Sequence, residues 1–324
     1  MNLSFDQLLC AQDNLATRQQ ALQYMSLDAV RHRLGTRWQI LLPGVYLAAT
    51  GTPSTRQRLR AALLYGGPHA LLGDATALSG YAIRYLPEDP IIRLLLPAET
   101  RRVNRDGVMV RRTHRPPAPR IINGLPYCPP TRALIEFAAR IGDRRVATAV
   151  LADAVQRGIV WPEALALEVP HITGRGAGVA RLVVADIIGG IRSAPEADFA
   201  TLCCQSTVLP PPLLNALLGL PDGRRVCPDA LWVEAGLVHE TNGREHHAGE
   251  DDFEDMQSRH DAMTAAGLTV LHDAPRQLLR EADRILDQVE TCYRRNAGRG
   301  LPPGVQLLRA GPPQLHADVP LMAS

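Results

Sequence analysis

No lysine occurs in the chain: all 35 basic residues are arginine. Chemistry that needs a lysine ammonium is therefore excluded, including the cation that orients water beside the acids of many nucleases. So uniform a choice fits a GC-biased genome, and the arginines are not read as individually selected phosphate forks. Aromatic residues make up only 4% of the sequence, which argues against bases stacked on an aromatic platform. The six cysteines form no C-x-x-C pair, and their spacing excludes a zinc knuckle. They read as thiols of a reduced cytoplasm. No apolar run approaches the roughly 20 residues needed to span a bilayer, and the N-terminus MNLSFDQLL lacks a basic region followed by an apolar stretch. A soluble cytoplasmic protein without a membrane partner is expected.

A length of 324 residues allows two or three domains, and 46% hydrophobic with 21% charged residues is ordinary globular composition. The net charge of +2 does not announce a polyanion, but its distribution is uneven. Residues 1–70 hold seven Arg against three Asp, and residues 101–120 hold seven Arg against Asp106 alone. Such blocks suit phosphate neutralisation, although solvated helix faces account for them too.

The first fifty residues parse as three short helices and a hairpin. Ser4 with Gln7, and Thr17 with Gln20, fit the S/T-x-x-E/Q capping box, and Ser26 is positioned to cap a third helix that ends at Gly35. RWQILLPGVYLA then supplies two extended pieces around Pro43 and Gly44. This is the plan of a winged helix-turn-helix, in which Arg18, Arg31, Arg33 and Arg37 are the expected DNA-contacting residues. A small helical domain for protein contact is the competing reading.

The stretch DNLATRQQALQYMSLDAVRHRLGTRWQILLPGVY resembles the N-terminal domain of AbiEi-type antitoxins. TRQRLRAALLYGGPHALLGDATALSGYAI, IIRLLLPAETRRV, VMVRRTHR and GLPYCPPTRALIEFAAR resemble the region that follows it in actinobacterial proteins, so the likeness covers roughly residues 5–150. It implies a DNA-binding, autoregulatory type of domain.

Within the middle region, residues 91–96 and 108–112 read as strands, and 131–140 and 143–157 as amphipathic helices. The glycines of ITGRGAGVARLVVADII mimic part of a dinucleotide loop, but the G-x-G-x-x-G spacing fails and a helix entrance is expected instead. The expected organisation is an α+β / α/β multidomain chain. It comprises a winged helix over 1–50, a mixed α/β region over 51–190, a restriction-endonuclease-like mixed sheet flanked by helices over 191–295, and a disordered Gly- and Pro-rich tail over 296–324.

From Ser193 the pattern is helix, strand, strand, helix, strand. A tight strand-to-strand turn favours antiparallel pairing, and a strand-helix-strand return favours parallel pairing. Asp229 falls on the first strand and Glu240 on the second, where two converging carboxylates suit Mg²⁺, an oxygen-seeking ion that retains waters. Glu196 is a third candidate from the preceding helix, although Ser193-Ala194-Pro195-Glu196 is itself a capping box.

The order of landmarks over 193–280 resembles PD-(D/E)xK-like domains related to very-short-patch-repair endonucleases. It runs through Ser193 and Glu196, Asp229, Glu240-Thr241-Asn242-Gly243-Arg244-Glu245-His246, Arg259 and Asp261, then Ala265-Ala266-Gly267. The resemblance implies a divalent-metal nuclease site with Asp229 and Glu240 as metal ligands. Asn242 departs from the pattern, because it stands where the superfamily carries Lys and this subgroup often carries Asp. It offers neither a cation nor a second negative charge. His246 is a candidate general acid or base, and His246 with His247 equally suits an exposed loop. Arg244 or Arg259 is a candidate source of positive charge.

Two functions follow as expectations. One is a DNA-binding protein with a Mg²⁺-dependent endonuclease-like domain, whose catalytic candidates are Asp229, Glu240, Asn242, His246 and Glu196. The alternative is a non-enzymatic, antitoxin-like transcriptional regulator of a type IV toxin-antitoxin kind, with a degenerate nuclease fold and with DNA and a cognate toxin, or that toxin's promoter, as partners. An intracellular scaffold without nucleic-acid function is a third, plainer reading.

Overall fold

A computed structural model of the chain describes residues 4–241 and 250–311, and side chains within Glu250–Ala265 from Gln257 onward. The protein is of mixed α+β class and divides into two compact units, Met1–Gly142 with Arg157–Ala180, and Asp143–Gln156 with Arg181–Ser324.

In the first unit, α1 (Phe5–Ala11), β1 (Leu15–Thr17), α2 (Arg18–Leu22) and α3 (Leu27–Leu34) precede β2 (Gln39–Leu42) and β3 (Val45–Leu47). Both expected capping boxes form: the hydroxyls of Ser4 and Thr17 accept from Gln7 N and Gln20 N, and the glutamine side chains reach back to the cap amides. Ser26 caps α3 through Ala29 N. β1 pairs with β3 rather than with β2, giving a three-stranded sheet of order β1-β3-β2. Gly44 turns the hairpin at φ +76°, a left-handed conformation that costs glycine little. Ala21, Val30, Trp38 and Tyr46 close a small core beneath it.

The chain continues through α4 (Thr55–Gly66), β4 (Leu71–Leu72), α5 (Asp74–Gly80), β5 (Ile92–Pro97), β6 (Val108–Thr113), β7 (Arg120–Ile122), β8 (Leu125–Tyr127) and α6 (Pro130–Ile141). Its five-stranded sheet has order β6-β5-β4-β8-β7, with β5–β6 and β4–β8 parallel. α6 buries Leu134, Ile135, Phe137 and Ala138, and ends at Gly142 in the left-handed region. The next helix, α7 (Arg144–Gln156), was expected in the middle region but belongs to the second unit. α8 (Pro162–Glu168) returns to the first unit, where Glu168 pairs with both Arg115 and Arg132 at 3.0 Å. α9 (Ala177–Ile188) begins within the GRGAG run, at Ala177, so the run is a helix entrance. Gly176 has a clear structural cause: a Cβ there would meet the Ala139 carbonyl oxygen at 1.8 Å.

The second unit adds α10 (Ala194–Cys203), β9 (Leu213–Leu214), β10 (Leu217–Gly219), β11 (Arg225–Val226), β12 (Ala230–Trp232) and β13 (Leu237–Thr241). α11 (Glu250–Ala265), β14 (Thr269–Asp273), α12 (Pro275–Arg280), α13 (Ala282–Asn296) and β15 (Gln306–Arg309) complete it. Its main sheet has order β14-β13-β12-β9, antiparallel at β12–β13 and parallel at β13–β14. A smaller sheet has order β11-β10-β15, so part of the segment expected as a disordered tail forms a strand. That strand lays Arg309 beside Leu217, and Val305 just before it joins an apolar cluster with Leu218 and Leu231.

Alternation along β13 sends consecutive side chains to opposite faces of the sheet. Leu237 joins Phe199, Trp232, Ile285 and Val289 in one apolar cluster, while Val238 joins Leu231, Met263 and Leu268 in the other. The sheet is thus buried on both sides, which explains why LVHE reads as a nearly continuous run rather than as apolar-polar alternation.

Candidate functional site

Parity and register decide where the acids go. Ala230 stands opposite His239, and Trp232 opposite Leu237. Continuing that register by one residue sets Asp229 across from Glu240, and opposite residues of an antiparallel pair share a face. The Asp229 carboxylate is tied there: its Oδ2 accepts the backbone N–H of Thr241 at 2.7 Å.

Glu240 is buried, with 4% of its surface exposed. Its Oε2 accepts from Arg259 of α11 in a close ion pair. Its Oε1 is buried and has no hydrogen-bond partner among the described residues. An unsatisfied buried carboxylate oxygen is costly, and such an atom calls for an explanation.

Glu196 is buried at the start of α10, and its oxygens are occupied. Oε1 accepts the Ser193 hydroxyl at 2.9 Å, while Oε2 accepts the Arg192 amide at 2.9 Å and the Asn215 side-chain amide at 2.8 Å. Ser193 Oγ in turn accepts from Glu196 N. Of the two roles open to Glu196 from the sequence, helix capping is therefore filled. Asn215, absent from the sequence-level candidates, ties this acid to the β9–β10 connection, because it also donates to the Gly190 carbonyl at 2.8 Å. Its positive φ of +52° is one that Asn tolerates better than most residues.

The carboxylates feel one another. Burial pushes Asp229 up to about 7, helped by the negative charges of Glu196 and Glu240 and opposed by the Thr241 amide and Arg259. Asp229 is half-buried by solvent contact, yet protein surrounds it closely enough for desolvation to dominate. Burial likewise raises Glu240, against the pull of Arg259 and of His260. Among the described residues, Arg259 is the guanidinium that pairs with this acid pair.

Two further groups line the neighbourhood. The parallel register pairs Glu240 with His272 of β14, and the His272 ring lies edge-on to that of His260 of α11 at 5.2 Å between centroids. His260 is half-exposed and close enough to Glu240 to act on its charge. His272 carried no local signal; only the register of a strand-helix-strand return brings it beside Glu240. On the opposite face, His239 stacks flat on Phe199 at 3.6 Å and shares a 3.1 Å hydrogen bond with Asp273, as a packed core histidine. Burial lowers its affinity for a proton despite that partner.

Asn242 and His246, like Arg244 and His247, lie outside the described residues. Among the described residues, no group of three or more His, Cys, Asp or Glu side chains is arranged to hold a metal ion. Asp229 and Glu240 are a two-acid set with one orphaned oxygen. That fits the limited protein share of a Mg²⁺ site, which relies on one or two carboxylates plus waters and phosphate.

In the first unit, Arg18 is exposed at the start of α2, and Arg37 is exposed between α3 and β2. Arg31 is exposed on α3 and pairs with Asp28 at 3.3 Å. Arg33 is partly spent on packing: it donates to the Ala29 carbonyl and lies 5.8 Å over the Trp38 ring. No described helix is long and apolar enough to cross a membrane.

No protein-family model matches the chain, and no curated protein matches it. A solved structure, the RV2827C protein from Mycobacterium tuberculosis, is similar at 19% identity over 58% of this chain and 76% of that one, with a TM-score of 0.39. A likeness that distant leaves the function of this chain to its own residues.

Proposed function

We propose that the protein acts on DNA, through a winged helix in the first unit and a metal-dependent endonuclease-like site in the second. The observation that carries this reading is the Asp229–Glu240 pair, two raised carboxylates set opposite each other at one end of a mixed sheet, with Glu240 Oε1 unpartnered among the described residues. Support also comes from topology. The order α1-β1-α2-α3-β2-β3, with β1 on β3, suits a winged helix; α10-β12-β13-α11-β14, with β13–β14 parallel, suits a restriction-endonuclease-like core.

Asp229 and Glu240 are the residues that would hold Mg²⁺, which when bound supplies a water of lowered pKa and stabilises charge on a phosphodiester. The chain's own groups do the positioning. Thr241 N–H fixes the Asp229 carboxylate, Glu196 and Asn215 brace the sheet end, and Arg259 steadies Glu240 without being able to act as a proton donor near neutral pH.

One observation favours the second reading, a non-enzymatic regulator of antitoxin type. Arg259 already neutralises Glu240, and Glu196 is saturated, so the site is partly closed by its own side chains. A salt-titrated duplex-binding assay with and without Mg²⁺, followed by inspection of the products on a gel, separates the readings. The nuclease reading predicts metal-dependent cleavage; the regulator reading predicts salt-sensitive binding without it. Absence of both overturns the DNA-acting proposal.

A further inference from the structure

The first unit contains an open groove of about 750 Å³, walled by α2, the β2–β3 turn, α4 and the loop between β5 and β6. Three arginines line it, Arg18, Arg60 and Arg102, together with Gln19 and Gln20, and no carboxylate does. The larger groove of the same unit is different: Glu88, Asp89 and Asp106 stand in its wall with Arg58. The acid-free lining distinguishes this groove from the larger one.

The two arginine-rich blocks of the sequence, 1–70 and 101–120, are far apart in the chain. Folding brings both into the walls of this groove, with Arg18 and Arg60 from the first block and Arg102 from the second. Arg102 is held in place. Its guanidinium lies 5.2 Å over the Tyr65 ring, and Tyr65 Oη donates to the Val103 carbonyl at 2.8 Å. Arg112 of β6 fastens the same loop by donating to the carbonyls of Thr100 at 2.9 Å and Arg102 at 2.5 Å. Neither Arg18 nor Arg102 has a carboxylate partner among the described residues, and Arg101 and Arg105 are exposed on the same loop, whose two acids are Glu99 and Asp106. By contrast, Arg60 is paired with Asp13 at 3.0 Å, and Arg111 and Arg115 are paired with Glu136 and Glu168. A pre-positioned cation loses less entropy on meeting an anion.

We infer that this groove holds the phosphate backbone of duplex DNA, so that contact extends from the winged helix along the β5–β6 loop. The inference rests on the DNA-binding reading above and deepens it. A single small anion would leave most of the groove empty, whereas a backbone supplies successive phosphates to Arg18 and Arg102 and on toward Arg101 and Arg105. These contacts carry no base readout and act equally on every sequence.

The test is fluorescence anisotropy of the full chain with a labelled random-sequence duplex across a salt series, comparing the wild type with Arg18→Gln/Arg102→Gln. Two lost phosphate contacts lower the slope of log K against log salt by about 1.8. Arg18→Lys/Arg102→Lys keeps most of the slope, and Arg58→Gln, on the acid-lined groove, leaves it unchanged. Thermal melting of each variant checks that the fold is retained. An unchanged slope in the folded glutamine pair, with the wild type still binding, overturns the groove assignment alone. Failure of the wild type to bind duplex at any salt overturns the DNA-binding reading and this inference with it.

Discussion

Asp229, Glu240 and Glu196 are three acids in one neighbourhood, and they differ in what their oxygens already touch. Glu196 is saturated, Glu240 is half satisfied by Arg259, and Asp229 takes one amide. In the metal-free protein Asp229 titrates near 7, above its ordinary 3.8, so its contribution to stability is full at pH below about 4 and is lost as pH rises through about 7. Asp229→Asn cannot ionise and keeps an acceptor for Thr241 N–H. Urea unfolding in chelator should therefore show the variant gaining on the wild type between about pH 4 and about pH 7. A difference that is flat with pH would contradict the raised titration. Arg259→Ala leaves Glu240 buried without its partner. It should cost about 1–3 kcal/mol by urea titration, with Arg259's partial exposure favouring the lower end, and Glu240→Gln in that background should recover part of the loss.

At the scale of elements, what was legible followed local rules. The capping serine and threonine at positions 4 and 17, the stop near Gly35 and the strands expected at 91–96 and 108–112 all rest on neighbours in sequence, and all formed, the strands as Ile92–Pro97 and Val108–Thr113. What was hidden rested on distant pairing. Asn215 meets Glu196 across 19 residues, and His272 reaches Glu240 only through the parallel register of β13 and β14. β15 escaped notice because QLLR among Gly and Pro has little strand signal until β10 offers it an edge. The glycine run at the start of α9 shows how a motif-like spacing can have a packing cause. Gly176→Ala should destabilise the first unit by more than about 1 kcal/mol, since the new Cβ meets the Ala139 carbonyl and φ is +83°. Gly178→Ala, in open space within α9, should be neutral or stabilising by up to about 1 kcal/mol. Thermal melting of the two variants distinguishes this account from one in which the glycines serve a ligand.

At the scale of the molecule, composition indicated uneven charge but not its geography. The arginines of 101–120 do different jobs: Arg111 and Arg115 serve internal ion pairs, Arg112 holds carbonyls of its own loop, and Arg101, Arg102 and Arg105 are exposed with no ion pair among the described residues. Pattern reading from the sequence could not make that division, since it depends on where Glu136 and Glu168 come to lie. The second unit combines α7 with the later stretch from Arg181 onward, β15 included, an assembly that a linear parse of domains does not suggest. The account as a whole turns on whether the acid pair does chemistry. Its most direct test is nicking of supercoiled plasmid by the full chain in Mg²⁺ or Mn²⁺, run beside Asp229→Ala and beside chelator. The account predicts nicking that needs the metal and is lost in Asp229→Ala, while duplex binding by the variant persists. Nicking that survives the substitution, or a wild type that binds duplex and never nicks it, would contradict the assignment of this site.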